Sequence, residues 1–161
     1  MRRFLFACTL LAGLSTLVTT GASAQSVYDG VRAEDMQRIV AGMGYRAQIK
    51  ESKSGAPFIS SAANGLDFSI AFPNCKEGQR CRSMTFQTWW KPGDRLDLTA
   101  LNEWNTKRRY TTAFRRTDGG LGIRMDVSVD GGVTEKYLET VYKGWSQFLD
   151  VFDGYRKTGK F

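Results

Sequence analysis

The chain has 161 residues, 42% hydrophobic, 12% aromatic and 24% charged, with a formal charge of +7. That length and apolar content suit one packed domain and exclude a disordered or low-complexity chain. There are no histidines and three cysteines, which excludes Ser-His-Asp and Cys-His catalysis and leaves too few ligands for a zinc site.

The N-terminus reads as an address. Arg2-Arg3 precedes an apolar run from Phe4 to Val18, and Ala22-Ser23-Ala24 has the small residues of a cleavage site. This predicts a secretory signal peptide over residues 1–24 and a mature single domain over 25–161, periplasmic or secreted. The run is short of the roughly 20 residues a membrane span needs. Cys8 lies inside it rather than at a lipid-acceptor boundary. Removing Arg2 and Arg3 lowers the charge by two, to +5. No later stretch is long and apolar enough for a span, so no transmembrane segment is expected in the mature form. Export leaves Cys75 and Cys81, which are expected to form a disulfide closing a polar loop. Their C-x5-C spacing is not the C-x-x-C of a redox site.

Residues 25–30 read as a loose start. Met36, Ile39, Val40 and Met43 then recur at helical spacing, with Glu34 and Asp35 at the front and Gly44 behind. Four strands follow. Tyr45, Ala47 and Ile49 alternate with polar residues up to a turn at Ser52 to Gly55. Pro57 to Ala62 is a second strand, and Asn64-Gly65 is a type I′ hairpin signal. Leu66, Phe68, Ile70 and Phe72 alternate in the third strand, and Met84, Phe86, Thr88 and Trp90 in the fourth. The cysteine loop joins these last two, which are expected to be antiparallel neighbours.

A second helix follows Lys91-Pro92-Gly93, with Asp94 or Asp97 as its cap. Leu98, Leu101, Trp104 and Asn105 are expected on one face, pointing at the sheet. Asn102 and Asn105 are expected to tie the helix to loop or strand backbone, because buried amides need partners; a ligand site is the alternative. In the next hairpin a two-residue Asp118-Gly119 turn pairs Phe114 with Ile123, Thr112 with Met125 and Tyr110 with Val127. Arg115, Arg124 and Asp126 then share the opposite face. Thr134 caps a final helix whose stripe runs Leu138, Val141, Tyr142, Trp145, Phe148, Leu149 and Phe152, with Val133 and Leu138 as a hydrophobic staple. Gly154 and the basic tail beyond it are expected to fray. The order α-β-β-β-β-α-β-β-α predicts an α+β fold: an antiparallel sheet with helices mainly on one face.

Several of these residues carry a family resemblance. They are Gly44-Tyr45, the two cysteines between strands, Leu101-Asn102-Glu103-Trp104-Asn105, Arg109-Tyr110, Asp118-Gly119, Asp126 and Gly131-Gly132-Val133-Thr134. Over roughly Val31 to Phe152 the chain resembles the YbjN-like family of bacterial sensory transduction regulators. The resemblance implies a fold like that of type III secretion chaperones, which bind other proteins and often pair as dimers. It implies no catalytic residues. The leader and the cysteine loop set this chain apart from a cytoplasmic regulator and speak against transcription control.

The carboxylates Glu103, Asp118 and Asp126 are not spaced as a catalytic pair, and no phosphate-binding glycine loop follows a strand. No enzyme and no cofactor are therefore expected. The cations at 107–109, Arg115, Arg116 and Arg124 form a basic cluster, but an exported protein rarely meets nucleic acid, so none is expected as partner. Trp89 and Trp90 point to opposite faces of their strand. Trp89, beside Gln87 and Thr85, is the one expected to be exposed. Trp89, Arg115 and Arg124 are thus the candidate partner-binding residues, and Asn102, Trp104 and Asn105 a structural motif. The function expected is a non-enzymatic, chaperone-like module for a protein or peptide partner, a homodimer included. A small-ligand or envelope-stress sensory module is the alternative.

Overall fold

Strict alternation in the strands decides which face of the sheet is covered. The computed structural model describes residues 27–75 and 80–161; the expected signal peptide and the middle of the cysteine loop lie outside the described residues. The elements are β1 (Val27–Tyr28), α1 (Ala33–Gly42), β2 (Ala47–Glu51), β3 (Pro57–Ala63), β4 (Leu66–Ala71), β5 (Ser83–Trp90), α2 (Leu98–Lys107), β6 (Thr112–Arg115), β7 (Leu121–Ser128), β8 (Val133–Thr134) and α3 (Glu135–Thr158). Strands β2-β3-β4-β5-β7-β6 form one antiparallel sheet, as the α+β reading requires. Ile59, Phe68, Ile70, Met84, Phe86, Ile123 and Met125 are buried on the face that carries the helices.

Local chemistry sets the element ends. Gly44, just past α1, has φ +85°, a left-handed conformation that costs glycine little. Asn64 and Gly65 both take positive φ and close the β3–β4 hairpin as the I′ signal predicts. Asp97, not Asp94, caps α2, accepting from the Ala100 N–H at 2.8 Å. Thr134 caps α3, accepting from the Tyr137 N–H.

The core is aromatic where α3 crosses the sheet. Tyr142 and Trp145 pack against Phe68 and Phe86 with ring centroids 5.7–6.4 Å apart. The buried Ser61 hydroxyl donates to the Arg46 carbonyl at 2.7 Å, so its partner the Tyr142 O–H must donate to it, at 2.9 Å. That chain satisfies two hydroxyls within apolar surroundings, and burial pushes the Tyr142 hydroxyl pKa up.

Five expectations need correction. Residues 27–28 are not loose: β1 pairs with β8, and the Tyr28 hydroxyl donates to Glu135, which Arg38 also grips at 2.7 Å. Helix α3 does not fray at Gly154. It runs to Thr158 because Tyr155 is buried and Arg156 bonds to Asp153 at 2.6 Å and to Asp94 at 2.9 Å. Leu98 is 71% exposed; steps of three residues each fall about 60° short of a full turn, so Leu98 lags the Trp104 direction by about 120°. Tyr110 is 72% exposed with φ +69°, and lies outside β6 instead of facing the core.

The fifth correction is the β6–β7 register. Arg115 pairs with Leu121, Ala113 with Ile123, Phe114 with Gly122 and Thr112 with Arg124. The Gly119 N–H donates to the Arg116 carbonyl, the Arg116 N–H donates to the Gly120 carbonyl, and Gly119 has φ +80°. The loop is thus three residues, Thr117-Asp118-Gly119, of the kind that ends in a left-handed glycine. One extra loop residue flips every β6 side chain. Ala113 and Arg115 turn to the helix-covered side, and Thr112 and Phe114 to the other.

The Asp153 cluster gives a pH prediction. Burial opposes ionisation of Asp153, but Lys157 and Arg156 outweigh it and hold its pKa below the usual carboxylate value. A depressed folded pKa means its stabilisation is complete above the unfolded value, about 3.9, and is lost as pH falls through the lower folded value. Asp153→Asn should cost about 1–3 kcal/mol at neutral pH. It should also flatten the loss of stability below about pH 4. Urea midpoints measured from pH 7 down to pH 2 check both; parallel curves for variant and parent would contradict the assignment.

Candidate functional site

Among the described residues, all three helices leave the second face of the six-stranded sheet open. Read across the strands, that face has three rows. One is Lys50, Phe58, Ala71, Thr85 and Asp126; the next is Gln48, Ser60, Ser69, Gln87, Arg124 and Thr112. The third includes Ala62, Asp67, Trp89, Gly122 and Phe114.

Trp89 is half exposed, at 50%, as its alternation predicts. Its neighbour Trp90 turns to the covered side, where its ring packs against Phe152. The Arg116 guanidinium sits 5.0 Å from the Trp89 ring centroid and also reaches Asp118 at 3.3 Å. The Gly120 N–H, foremost, and Arg116 hold the Asp118 carboxyl below the usual range, so this hairpin end is internally charge-paired. Across the strand, Phe114 lies over Gly122: a Cβ there would come within 2.5–3.0 Å of the Phe114 ring. Glycine at 122 therefore lets the ring lie flat between β6 and β5.

A hollow of about 810 Å³ opens beside Trp89. Trp89 walls one end, Phe58 and Pro57 the other, and Ser69, Ala71 and Gln87 lie between them. The depth comes from small residues along β4 between bulky aromatic ends. Asp67 is the sole charged residue among the described residues lining it, and Arg46 pairs with that carboxylate at 2.5 Å.

The sequence-predicted residues divide. Trp89 and Arg124 share the open face, where Arg124 pairs with Asp126 at 3.3 Å and lies 5.9 Å from the Phe114 ring centroid. Arg115 does not join them. It is on the other side, and its guanidinium donates to the carbonyls of Gly119, Asp94 and Leu96. It therefore holds the 94–96 segment to the hairpin. The motif residues also divide. Trp104 is buried and its Nε1–H donates to Thr111 Oγ1 at 3.2 Å. Asn102 and Asn105 are both exposed, so neither is a buried amide, but Asn105 bonds twice to Ala113. Sequence reasoning misses Phe58 and Ser69, and it places Arg116 in the basic cluster without its contact to Trp89. Small residues alternating at Ser60, Ala62, Ser69 and Ala71 were the available signal, since nothing bulky can fill that face there.

Among the described residues no cluster of His, Cys, Asp or Glu is fit to hold a metal, and no helix is long and apolar enough to cross a membrane. Cys75 and Cys81 are bonded, with Sγ–Sγ 2.08 Å, and Cys81 exchanges two backbone hydrogen bonds with Val31. These backbone bonds anchor the chain before α1 beside the start of β5, and the bridge ties Cys75 to the same point. Replacing both cysteines with serine should leave the fold intact but cost about 2 kcal/mol, as expected for so short a ring. Thermal unfolding with and without reductant checks this; identical midpoints would count against it.

The family model of YbjN, described as a putative bacterial sensory transduction regulator, matches residues 32–153. The chain belongs to the YbjN family. The match begins at the N-cap of α1 and ends within α3, so the YbjN domain includes the whole six-stranded sheet and the open face. Neither a curated protein nor a solved structure matches the chain.

Proposed function

We propose that this YbjN domain is an exported, non-enzymatic binding module that engages a protein or peptide partner in a chaperone-like way through the open sheet face. The observation that carries the reading is Trp89, half exposed on a sheet face that none of the described helices covers. A large aromatic left in water fits the anchor of an interface, because tryptophan is enriched among the few residues that carry most binding energy. Export is supported by the leader-like residues 1–24 and by the Cys75–Cys81 bridge, a bond that persists in oxidising compartments. A photo-crosslinking residue at exposed Thr112, on the same face, tests the reading in cells. A discrete protein adduct lost with Trp89→Ala is expected. No adduct, or one indifferent to Trp89, overturns it. Mature protein starting at Gln25 in the periplasmic fraction is the matching test of export.

The hollow favours a second reading, a sensory module for a small ligand. Its volume falls within the range of about 300–1,000 Å³ typical of small-molecule sites.

A further inference from the structure

We infer that the hollow beside Trp89 binds a neutral sugar ring, so that the ligand of the sensory reading is a glycan. The inference rests on that second reading and names its ligand class.

Charge narrows the choice first. Among the described residues Asp67 is the sole charged one lining the hollow, and Arg46 is paired with it. An anionic ligand such as a phosphate finds no free cation among the described residues of the wall, since Arg116 beside Trp89 is paired with Asp118, and a cationic one finds only a carboxylate that is already paired. A neutral ligand loses nothing to this lack of charge.

The wall is nevertheless not oily. Between the aromatic ends Phe58 and Trp89 stand the Ser69 hydroxyl and the Gln87 amide, cross-strand neighbours in register. Neither side chain has a hydrogen-bond partner among the described residues. The adjacent Thr85 hydroxyl donates to Asp126 at 2.7 Å and keeps its lone pairs free to accept. Gln87 supplies two donors and an acceptor; Ser69 supplies one donor and two lone pairs. An apolar peptide side chain entering here would bury these groups without partners, at a cost. A pyranose has the complementary surface. One face is C–H and can stack on an indole, and the rim carries hydroxyls that both donate and accept. Trp89 offers that indole: Arg116 accompanies it, yet half of its surface still meets solvent.

The test is calorimetric titration of the purified protein with maltotetraose, cellotetraose and chitotetraose in turn. At least one should bind saturably. Trp89→Ala should weaken that binding about tenfold or more, through loss of the stacking platform. Gln87→Ala should weaken it several-fold, about what one lost hydrogen bond implies. Leu98→Ala, on exposed α2 surface, should leave it unchanged, and the melting temperatures should show that all variants fold. No heat with any of the sugars, or binding indifferent to Trp89, overturns the inference. If a thermal-shift panel instead finds a non-sugar metabolite whose binding needs Trp89, the sugar is wrong and the sensory reading stands. If no small molecule binds while the crosslinked partner is lost with Trp89→Ala, sugar and sensory readings both fall and the protein-binding one remains.

Discussion

Trp145→Ala should lower the unfolding free energy by about 3–5 kcal/mol, among the largest effects that any single substitution in this fold can have. Trp145 is fully buried, and its indole lies against Phe68 of β4 and Phe86 of β5 at 5.7 and 5.8 Å. Truncation removes the contacts of α3 with two central strands and leaves a cavity that rigid strands cannot close. Among the described residues the buried indole N–H of Trp145 also has no hydrogen-bond partner. Trp145→Phe deletes that orphan donor while keeping most of the ring volume. It should therefore cost less than half as much as the alanine variant, the smaller cavity being partly offset by relief of the desolvated N–H. Urea unfolding midpoints of the two variants test this ordering. Equal losses would show that ring volume alone matters; an unchanged midpoint for alanine would show that α3 does not pack as described.

The parts of the fold legible in the sequence are those where two independent signals agree. In α3 the apolar period and the Thr134 cap coincide. At Asn64-Gly65 the turn chemistry and the alternation of Leu66, Phe68 and Ile70 demand the same register. The β6–β7 hairpin shows what happens when they agree by accident. Asp118-Gly119 is a good two-residue turn, and it paired apolar with apolar. But Asp118 can instead accept from Gly120 and place Gly119 in the left-handed region of a three-residue loop. Nothing in the local pattern separates the two loops. The choice follows from contacts distant in sequence: Ala113, small, fits under α2, and Arg115 reaches back to Asp94 and Leu96.

The same limit explains the tail and the site. Arg156 looked like part of a solvated basic end because its partner Asp94 lies 62 residues away. Strand β1 is two residues long and has no period to read. Trp89 was legible because parity alone sets its side of the sheet. The hollow was not, because its depth is made jointly by β3, β4 and β5, and its neutrality depends on the Arg46–Asp67 pair across 21 residues. A two-residue loop puts Arg115 on the open face, and the three-residue loop turns it to the covered one.

Asn105→Leu should destabilise the protein by about 2–4 kcal/mol even though it adds apolar surface. In an antiparallel sheet each edge strand presents unpaired N–H and C=O groups to whatever lies beside it. At β6 the Asn105 amide lies beside one residue and satisfies it fully: Oδ1 accepts from the Ala113 N–H at 2.8 Å, and Nδ2 donates to the Ala113 carbonyl at 3.0 Å. The side chain thus replaces a seventh strand at that point and locks the end of α2 to β6. Leucine fills similar volume but offers neither bond, leaving two partly buried backbone groups unpaired at about 1–3 kcal/mol each. Asn105→Asp separates the two bonds. The carboxylate can still accept from the Ala113 N–H but cannot donate to its carbonyl, so Asp should cost less than Leu at neutral pH. Acidification below about pH 4 should narrow the gap to the parent protein, because a protonated carboxyl regains a donor. Amide exchange at Ala113 gives the local readout, slow in the parent and fast in the leucine variant. Slow exchange at Ala113 in Asn105→Leu would mean that α2, and not the amide, protects the edge.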